Sequence, residues 1–267
     1  DYKNFLMTDV NMCNNTAVKT MKTFRTVILY GIKLGVIHKD PFVGVHFHME
    51  KLDRGFLTDE EISAIMTKKF DLQRLELVRD LFIFSCFTGL AYIDVKALTP
   101  DKIVRLANVD WIMSTRVKTV TPINVVLSEG AKRIIEKYKD APKKKGHVFP
   151  ILSNQKMNQY LKEIATACGI DKELTFHMAR HTFATLTLSK GVPIESVSRM
   201  LGHTNIRTTQ VYAKITNKKI EHDMAKFFKD KTICDLNNES ISMTAKDEQS
   251  PKTRGKKDGG TQPAVRA

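Results

Sequence analysis

The 267-residue sequence holds only four cysteines, Cys13, Cys86, Cys168 and Cys234, far apart and without a CxxC pair. That spacing supplies neither a zinc ribbon nor a disulfide framework and fits a reducing cytoplasm. Long apolar runs are missing as well. The most apolar stretch, residues 81–87, falls far short of the ~20 residues that cross a bilayer, and no basic-then-apolar leader opens the chain. Neither export nor membrane anchoring is expected. Acidic residues are scarce beside basic ones, 29 Asp and Glu against 43 Lys and Arg, which leaves a net charge of +14 and points to a polyanionic partner. With 42% hydrophobic and 27% charged residues, the chain is neither a disordered polyelectrolyte nor a membrane bundle. It is long enough to bury the core of one large domain or two small ones.

Over residues 16–34, Val18, Met21, Val27, Ile28 and Ile32 recur among Lys19, Lys22, Arg25 and Lys33, which predicts one basic amphipathic helix closed by Gly35. Residues 39–54 lack periodicity and carry Pro41 and Gly44, so they read as a linker, with a boundary near residue 53. One convincing helix precedes that boundary and Asp1 opens the chain, so residues 1–53 are expected to be part of a truncated helical domain. Beyond it, Thr58-Asp59-Glu60-Glu61 is a capping box, and a helical run over 72–88 ends in Thr88-Gly89. The β-branched segment 111–127, interrupted by Pro122, predicts a short antiparallel hairpin. Further helices are expected near 129–139, 154–167, 176–190, 193–201, 206–213 and 217–228. The fold class is therefore mainly α with a small antiparallel sheet (α+β). After Lys231 apolar residues thin out and lysines cluster, so 231–267 is expected to be a disordered basic tail.

His177, Arg180 and His181 stand at i, i+3 and i+4 and share one face of a predicted helix. Pro193 then opens a helix in its first turn, Ile194, Val197 and Leu201 form its apolar stripe, and Gly202 ends it before His203. Tyr212 follows nine residues later. This string resembles the C-terminal half of the tyrosine recombinase (phage integrase) family, and the resemblance runs over about residues 56–228. It implies that family's catalytic fold over 54–230, preceded by a partial helical core-binding (SAM-like) domain at 1–53. It also implies roles: Tyr212 as the nucleophile that forms a 3′-phosphotyrosyl bond, Arg180 as the clamp on the scissile phosphate, and His177 and His203 as hydrogen-bonding or proton-shuttling groups. Lys118, in Arg116-Val117-Lys118-Thr119, matches the hairpin lysine that protonates the departing 5′ oxygen. The residue types suit the chemistry, since planar, permanently charged guanidinium forks match the non-bridging oxygens of a phosphodiester under attack. The covalent linkage keeps the energy of the broken bond, so no cofactor, metal or ATP is expected.

One position departs from the family's pattern. Thr88-Gly89-Leu90 is followed by Ala91 where most of the family carries a catalytic arginine. Loss of one phosphate ligand is worth roughly 2–4 kcal/mol of transition-state stabilisation, by analogy with a single oxyanion donor. Conjugative-transposon integrases include members without this arginine, and the sequence resembles that branch. Arg116, two residues before Lys118 and on its face if the segment is extended, is the candidate substitute; its plainer role is a phosphate contact or solvation. Taken alone, His177 and His181 would be structural or surface histidines, and a zinc site from His177, His181 and His203 is disfavoured because Met178 stands where an HExxH motif needs glutamate. Asp94 reads as a helix cap or an orienting carboxylate. The Lys143-Lys144-Lys145 run reads as a loop that brushes DNA backbone.

The function so implied is a site-specific recombinase or integrase acting in integration or excision of a mobile element. Its expected partner is double-stranded DNA, held by a homotetramer on two DNA sites, with accessory DNA-bending proteins and no membrane contact. A helix near 217–228, with Ile220, Met224, Phe227 and Phe228, would dock on a neighbouring subunit. The expected location is a prokaryotic cytoplasm, on the nucleoid when bound. The rival is a catalytically silent DNA-binding protein that keeps the fold and lost cleavage with Ala91. A weaker third reading is a topoisomerase-like relaxing activity from the same chemistry.

Overall fold

A computed structural model describes residues 2–50, 55–144, 146–213 and 224–225. Its chain divides into two compact units, Asp1–Gly55 and Phe56–Ala267.

In the first unit, helix α1 (Tyr2–Thr8) is followed by the twenty-residue α2 (Asn14–Lys33). Leu6 of α1 meets Ala17 and Met21 of α2 and Phe42 from the following segment, and these four side chains make the core. Residues 42–50 return along α2, where Asn15 exchanges two hydrogen bonds with the Glu50 backbone, accepting at 2.8 Å and donating at 2.9 Å. The sequence predicted α2 but not α1, whose seven residues span barely two turns and leave periodicity too little to show.

The second unit opens with α3 (Asp59–Thr67), held at its start by the predicted capping box: Thr58 Oγ1 accepts from the Glu61 amide at 3.3 Å, and Glu61 Oε2 accepts from the Thr58 amide at 2.8 Å. Such a cap is worth about 1 kcal/mol. Helix α4 (Gln73–Thr88) is the central element, packed by α3, by α6 (Glu129–Lys137), by α7 (Asn154–Ala167) and by α8 (Phe176–Ser189). Its buried residues Leu75, Val78, Leu81, Phe82 and Phe84 point to several sides, which is why 81–87 is the most apolar stretch without being a membrane span. Among the described residues no helix is long and apolar enough to cross a membrane. Between α4 and α6 run the short α5 (Tyr92–Lys96), a 3₁₀ turn and a three-stranded antiparallel sheet. Its strands are β1 (Ile103–Leu106), β2 (Val109–Thr115) and β3 (Pro122–Val126).

β2 and β3 form the predicted hairpin, registered Trp111 to Val126 and Ser114 to Ile123. Pro122 is the first residue of β3, where its missing N–H is tolerated, and Ile123 and Val125 alternate inward. β1 and α5 are additions to the predicted elements, and with four and five residues they too are below the length at which a pattern is legible. Helix α9 (Ile194–Met200) starts one residue later than predicted, with Pro193 as its N-cap residue and not within its first turn. The helix expected over 206–213 is only α10 (Arg207–Gln210), so Tyr212 lies in the turn beyond it. The expected 217–228 helix, apart from residues 224–225, and the 231–267 tail lie outside the described residues.

Candidate active site

Arg180 is the centre of the site. It lies one turn into α8, is only 2% exposed, and ranks among the largest wholly buried side chains. Its Nη1 donates to the Gly89 carbonyl at 2.7 Å, its Nη2 donates to the Leu201 carbonyl, and Nη2 stands 3.0 Å from His203 Nε2. Two glycines make this collar. Gly89 ends α4 in the left-handed region (φ 69°), and a Cβ there would sit 2.4 Å from the Phe183 ring. Gly202, also left-handed (φ 60°), lies against Arg116, whose Cδ a Cβ would meet at 2.8 Å. Any larger residue at either position would strain the backbone and push the two chain ends off the guanidinium.

The hydrogen bonds fix the state of His203. A guanidinium can only donate, so Nε2 accepts; the proton is then on Nδ1, which donates to Thr209 Oγ1 at 2.8 Å. Burial, then the positive charges of Arg180 and Arg116, lower the His203 pKa to about 4, in agreement with a neutral ring. Burial, reinforced by Arg116, lowers the pKa of Arg180 to about 10, which leaves it charged at neutral pH. No carboxylate lies within ion-pair distance of Arg180 among the described residues.

Tyr212 is half-buried and packs on a small apolar cluster of Phe183, Leu188, Val197 and Leu201, which ties the turn after α10 to α8 and α9. Its ring stacks on His203 with centroids 6.3 Å apart and takes His181 edge-on at 4.9 Å. His177 is exposed, with its ring 4.6 Å from that of His181. The α8 face predicted to hold three residues is therefore graded: Arg180 inside, His181 against the tyrosine, His177 at the surface.

Arg116 and Lys118 do not share a face, contrary to the expectation for an extended segment. β2 ends at Thr115, and the chain reverses from Arg116 to Thr121: the Arg116 amide donates to the Thr121 carbonyl at 2.8 Å and the Val120 amide to the Arg116 carbonyl at 2.9 Å. The Arg116 side chain is 15% exposed and turned inward, its Nε 3.9 Å from Asp94 Oδ2. Lys118 stands exposed on the turn, its side chain making no hydrogen bond or ion pair among the described residues. Asp94, 7% exposed, accepts from the Val117 amide at 3.0 Å through its other oxygen, so it braces the turn as well as facing Arg116. Ala91 is the N-cap residue of α5, two residues after the Gly89 carbonyl that holds Arg180.

Four contributors were not singled out in the sequence. Thr209 fixes the His203 tautomer, and the backbone carbonyls of Gly89 and Leu201 hold the guanidinium. Asn158 of α7 accepts from the Phe176 amide at 2.8 Å, tying down the first turn of α8. Carbonyls carry no residue-type signal, and threonines and asparagines are too common to stand out. Among the described residues no group of three His, Cys, Asp or Glu side chains could hold a metal ion, so the three-histidine arrangement does not form.

Known proteins share sequence and fold with this chain. The model of the phage integrase family matches residues 56–219. The tyrosine recombinase XerC of Pediococcus pentosaceus is 23% identical over 253 residues, covering 85% of this chain and 80% of that protein. XerD of Lacticaseibacillus casei is 28% identical over 226 residues, 76% of this chain and 73% of its own length. Among solved structures, the Tn1549 transposon integrase in complex with circular intermediate DNA superposes with a TM-score of 0.66 at 16% identity, over 84% of this chain and 83% of that one. A buried arginine collared by two glycine turns, a neutral histidine and a tyrosine stacked on it thus sit in the segment that the family model spans, and the chain belongs to the phage integrase family of tyrosine recombinases, enzymes that cut and rejoin DNA through a tyrosine nucleophile.

Proposed function

We propose that Tyr212, Arg180, His203, His177 and Lys118, with Arg116 in place of the arginine missing at Ala91, form the cleavage centre of a site-specific recombinase that integrates or excises a mobile element. One observation carries the reading: among the described residues, Arg180 is a buried charge with no carboxylate within ion-pair distance. Burying a charge costs several kcal/mol unless an opposite charge offsets it, and here carbonyls and a neutral histidine surround it. A phosphodiester supplies the absent anion.

In the proposed step the Tyr212 hydroxyl passes its proton to the histidine pair His177 and His203 as its oxygen attacks phosphorus, and the 3′-phosphotyrosyl bond forms as the bond to the 5′ oxygen breaks. The negative charge that builds on the non-bridging oxygens is taken by Arg180 and Arg116, two guanidinium groups with the Asp94 carboxylate nearby. The 5′ oxygen leaves with a proton from Lys118, which the exposed turn lets swing onto the DNA. Neutral His203 holds its ring under the tyrosine and keeps Nε2 available as an acceptor once Arg180 turns to phosphate. Rejoining reverses the step, so no external energy source enters the balance. Double-stranded DNA is the partner, and two duplexes held by four copies of the chain would give complete strand exchange.

Ala91 gives specific support to the silent DNA-binding alternative, so the test must separate binding from chemistry. A duplex nicked close to the cleavage position traps the adduct, because the short 5′ product diffuses away. The reading expects an SDS-resistant adduct in EDTA, lost in Tyr212→Phe while DNA binding persists. Binding without an adduct from the unaltered chain would leave the silent alternative standing.

A further inference from the structure

Six described lysines of the second unit answer to a carboxylate: Lys132, Lys137, Lys139, Lys162, Lys172 and Lys190 all form ion pairs. Elsewhere three lysines without such a partner gather at one site. A cavity of about 300 Å³ is lined by Lys96, Lys143, Lys144 and His147, walled by Pro150 and Ile151, and among the described residues no aspartate or glutamate lines it. None of these three lysines has an ion pair among the described residues. Lys143 is turned onto the end of α6, where its Nζ donates to the Tyr138 carbonyl at 2.5 Å and to that of Lys139. His147 Nδ1 lies 2.8 Å from the Lys96 carbonyl, which ties the 142–147 loop to the end of α5. Lys96 and Lys144 are left exposed at the mouth.

The cavity is joined to the cleavage centre through short, rigid links. The chain that walls it runs on into Leu152, whose carbonyl accepts from the Tyr92 hydroxyl at 2.7 Å. Tyr92 opens α5 directly after Ala91, and Lys96 closes it. At about 1.5 Å per residue α5 is about 7.5 Å long, so Arg180's collar at one end and the cavity at the other lie within the span of a few successive phosphates on one strand.

From this we infer that the Lys96–Lys144–His147 cavity binds a backbone phosphate of the DNA duplex, away from the one that is cut, and so sets the register of the strand on the cleavage centre. The inference rests on the proposed DNA-cleaving reading for its ligand, but its test needs no cleavage. Phosphate contacts fix position without reading sequence, so a duplex of any sequence serves.

Lysine acetylation of the full chain carrying Tyr212→Phe, with and without duplex DNA, reads the site directly by mass spectrometry. Lys96 and Lys144 should be reactive in the free protein and protected by DNA, whereas Lys162, paired with Glu173, should not change. The double variant Lys96→Gln/Lys144→Gln should then bind DNA with a log–log salt slope shallower by about 0.9 for each phosphate it no longer neutralises. Equal acetylation with and without DNA, or an unaltered salt slope in a folded double variant, overturns the inference. So does protection by inorganic pyrophosphate but not by DNA, which would make the cavity a small-anion site. Because acetylation is read without cleavage, its failure is separate from failure to trap an adduct.

Discussion

The second unit buries charge in two places, and it treats them in opposite ways. Asp80 of α4, 7% exposed, is answered on every side: Arg79 Nε donates at 2.8 Å, Lys137 Nζ at 2.6 Å and the Tyr138 hydroxyl at 2.9 Å. Glu76 takes the outer side of both cations, and burial beside Asp80 pushes the Tyr138 hydroxyl pKa well above its usual range. This network clips α6 to α4 and has the balance of a structural device. Arg180, deeper still, has three hydrogen-bonding neighbours and no carboxylate within ion-pair distance among the described residues; Asp94 acts on it only from farther off, and a second guanidinium nearby works against it. A charge kept for the fold is neutralised within the fold. A charge kept for a substrate is left for the substrate to neutralise.

The sharpest way to break the comparison is to remove each charge and read both stability and cleavage. Arg180→Met should reduce single-turnover cleavage by about 10²–10³-fold or more, as loss of a preorganised donor does. Asp80→Asn should leave cleavage per folded molecule unchanged and cost about 2–3 kcal/mol of stability in denaturant titration. That is below the cost for a wholly buried pair because Lys137 reaches solvent.

A smaller effect separates the two arginines. If Arg116 takes the place left at Ala91, Arg116→Ala should slow cleavage by about 2–4 kcal/mol in activation free energy with DNA binding retained. Ala91→Arg should then be neutral or harmful, because the new guanidinium meets like charge. A strong gain from Ala91→Arg with an inert Arg116→Ala would show the space to be vacant.

The helices and most of the site can be read in the sequence because they rest on side-chain patterns. The Thr58 to Glu61 capping box, the Thr88-Gly89 stop and the His177, Arg180, His203 and Tyr212 spacing all carry such signals, and the structure gathers Arg180, His203 and Tyr212 together. What escapes is short or made of backbone. β1, α1 and α5 are shorter than the pattern that would reveal them, and the Gly89 and Leu201 carbonyls have no residue-type signature. The Arg116 and Lys118 geometry escapes for another reason, since the chain leaves the extended state after Thr115 and the period-2 argument ends there.

Acid offers a subtler contrast. His203 has a folded pKa of about 4 against an ordinary value of 6.5, so the unfolded chain binds the extra proton first as pH falls. Its contribution to stability is complete above about pH 6.5 and is lost as pH drops towards 4. Denaturant titrations across that window should show stability falling with acid, with a shallower slope in His203→Gln. An identical slope in the variant would assign the acid sensitivity elsewhere.

Thermal denaturation of Arg180→Met beside Asp80→Asn weighs the two buried charges in a single measurement. Removing Arg180 forfeits hydrogen bonds to two carbonyls and a histidine, about 1–3 kcal/mol each, but it also removes a buried charge whose desolvation costs several kcal/mol. Removing the Asp80 charge relieves its own desolvation but leaves Arg79 and Lys137 with Glu76 as their one remaining counter-ion among the described residues. Arg180→Met should lower the melting temperature less than Asp80→Asn does, despite the deeper burial of Arg180. A larger fall for Arg180→Met would mean that this guanidinium is held there for the fold and not for a substrate.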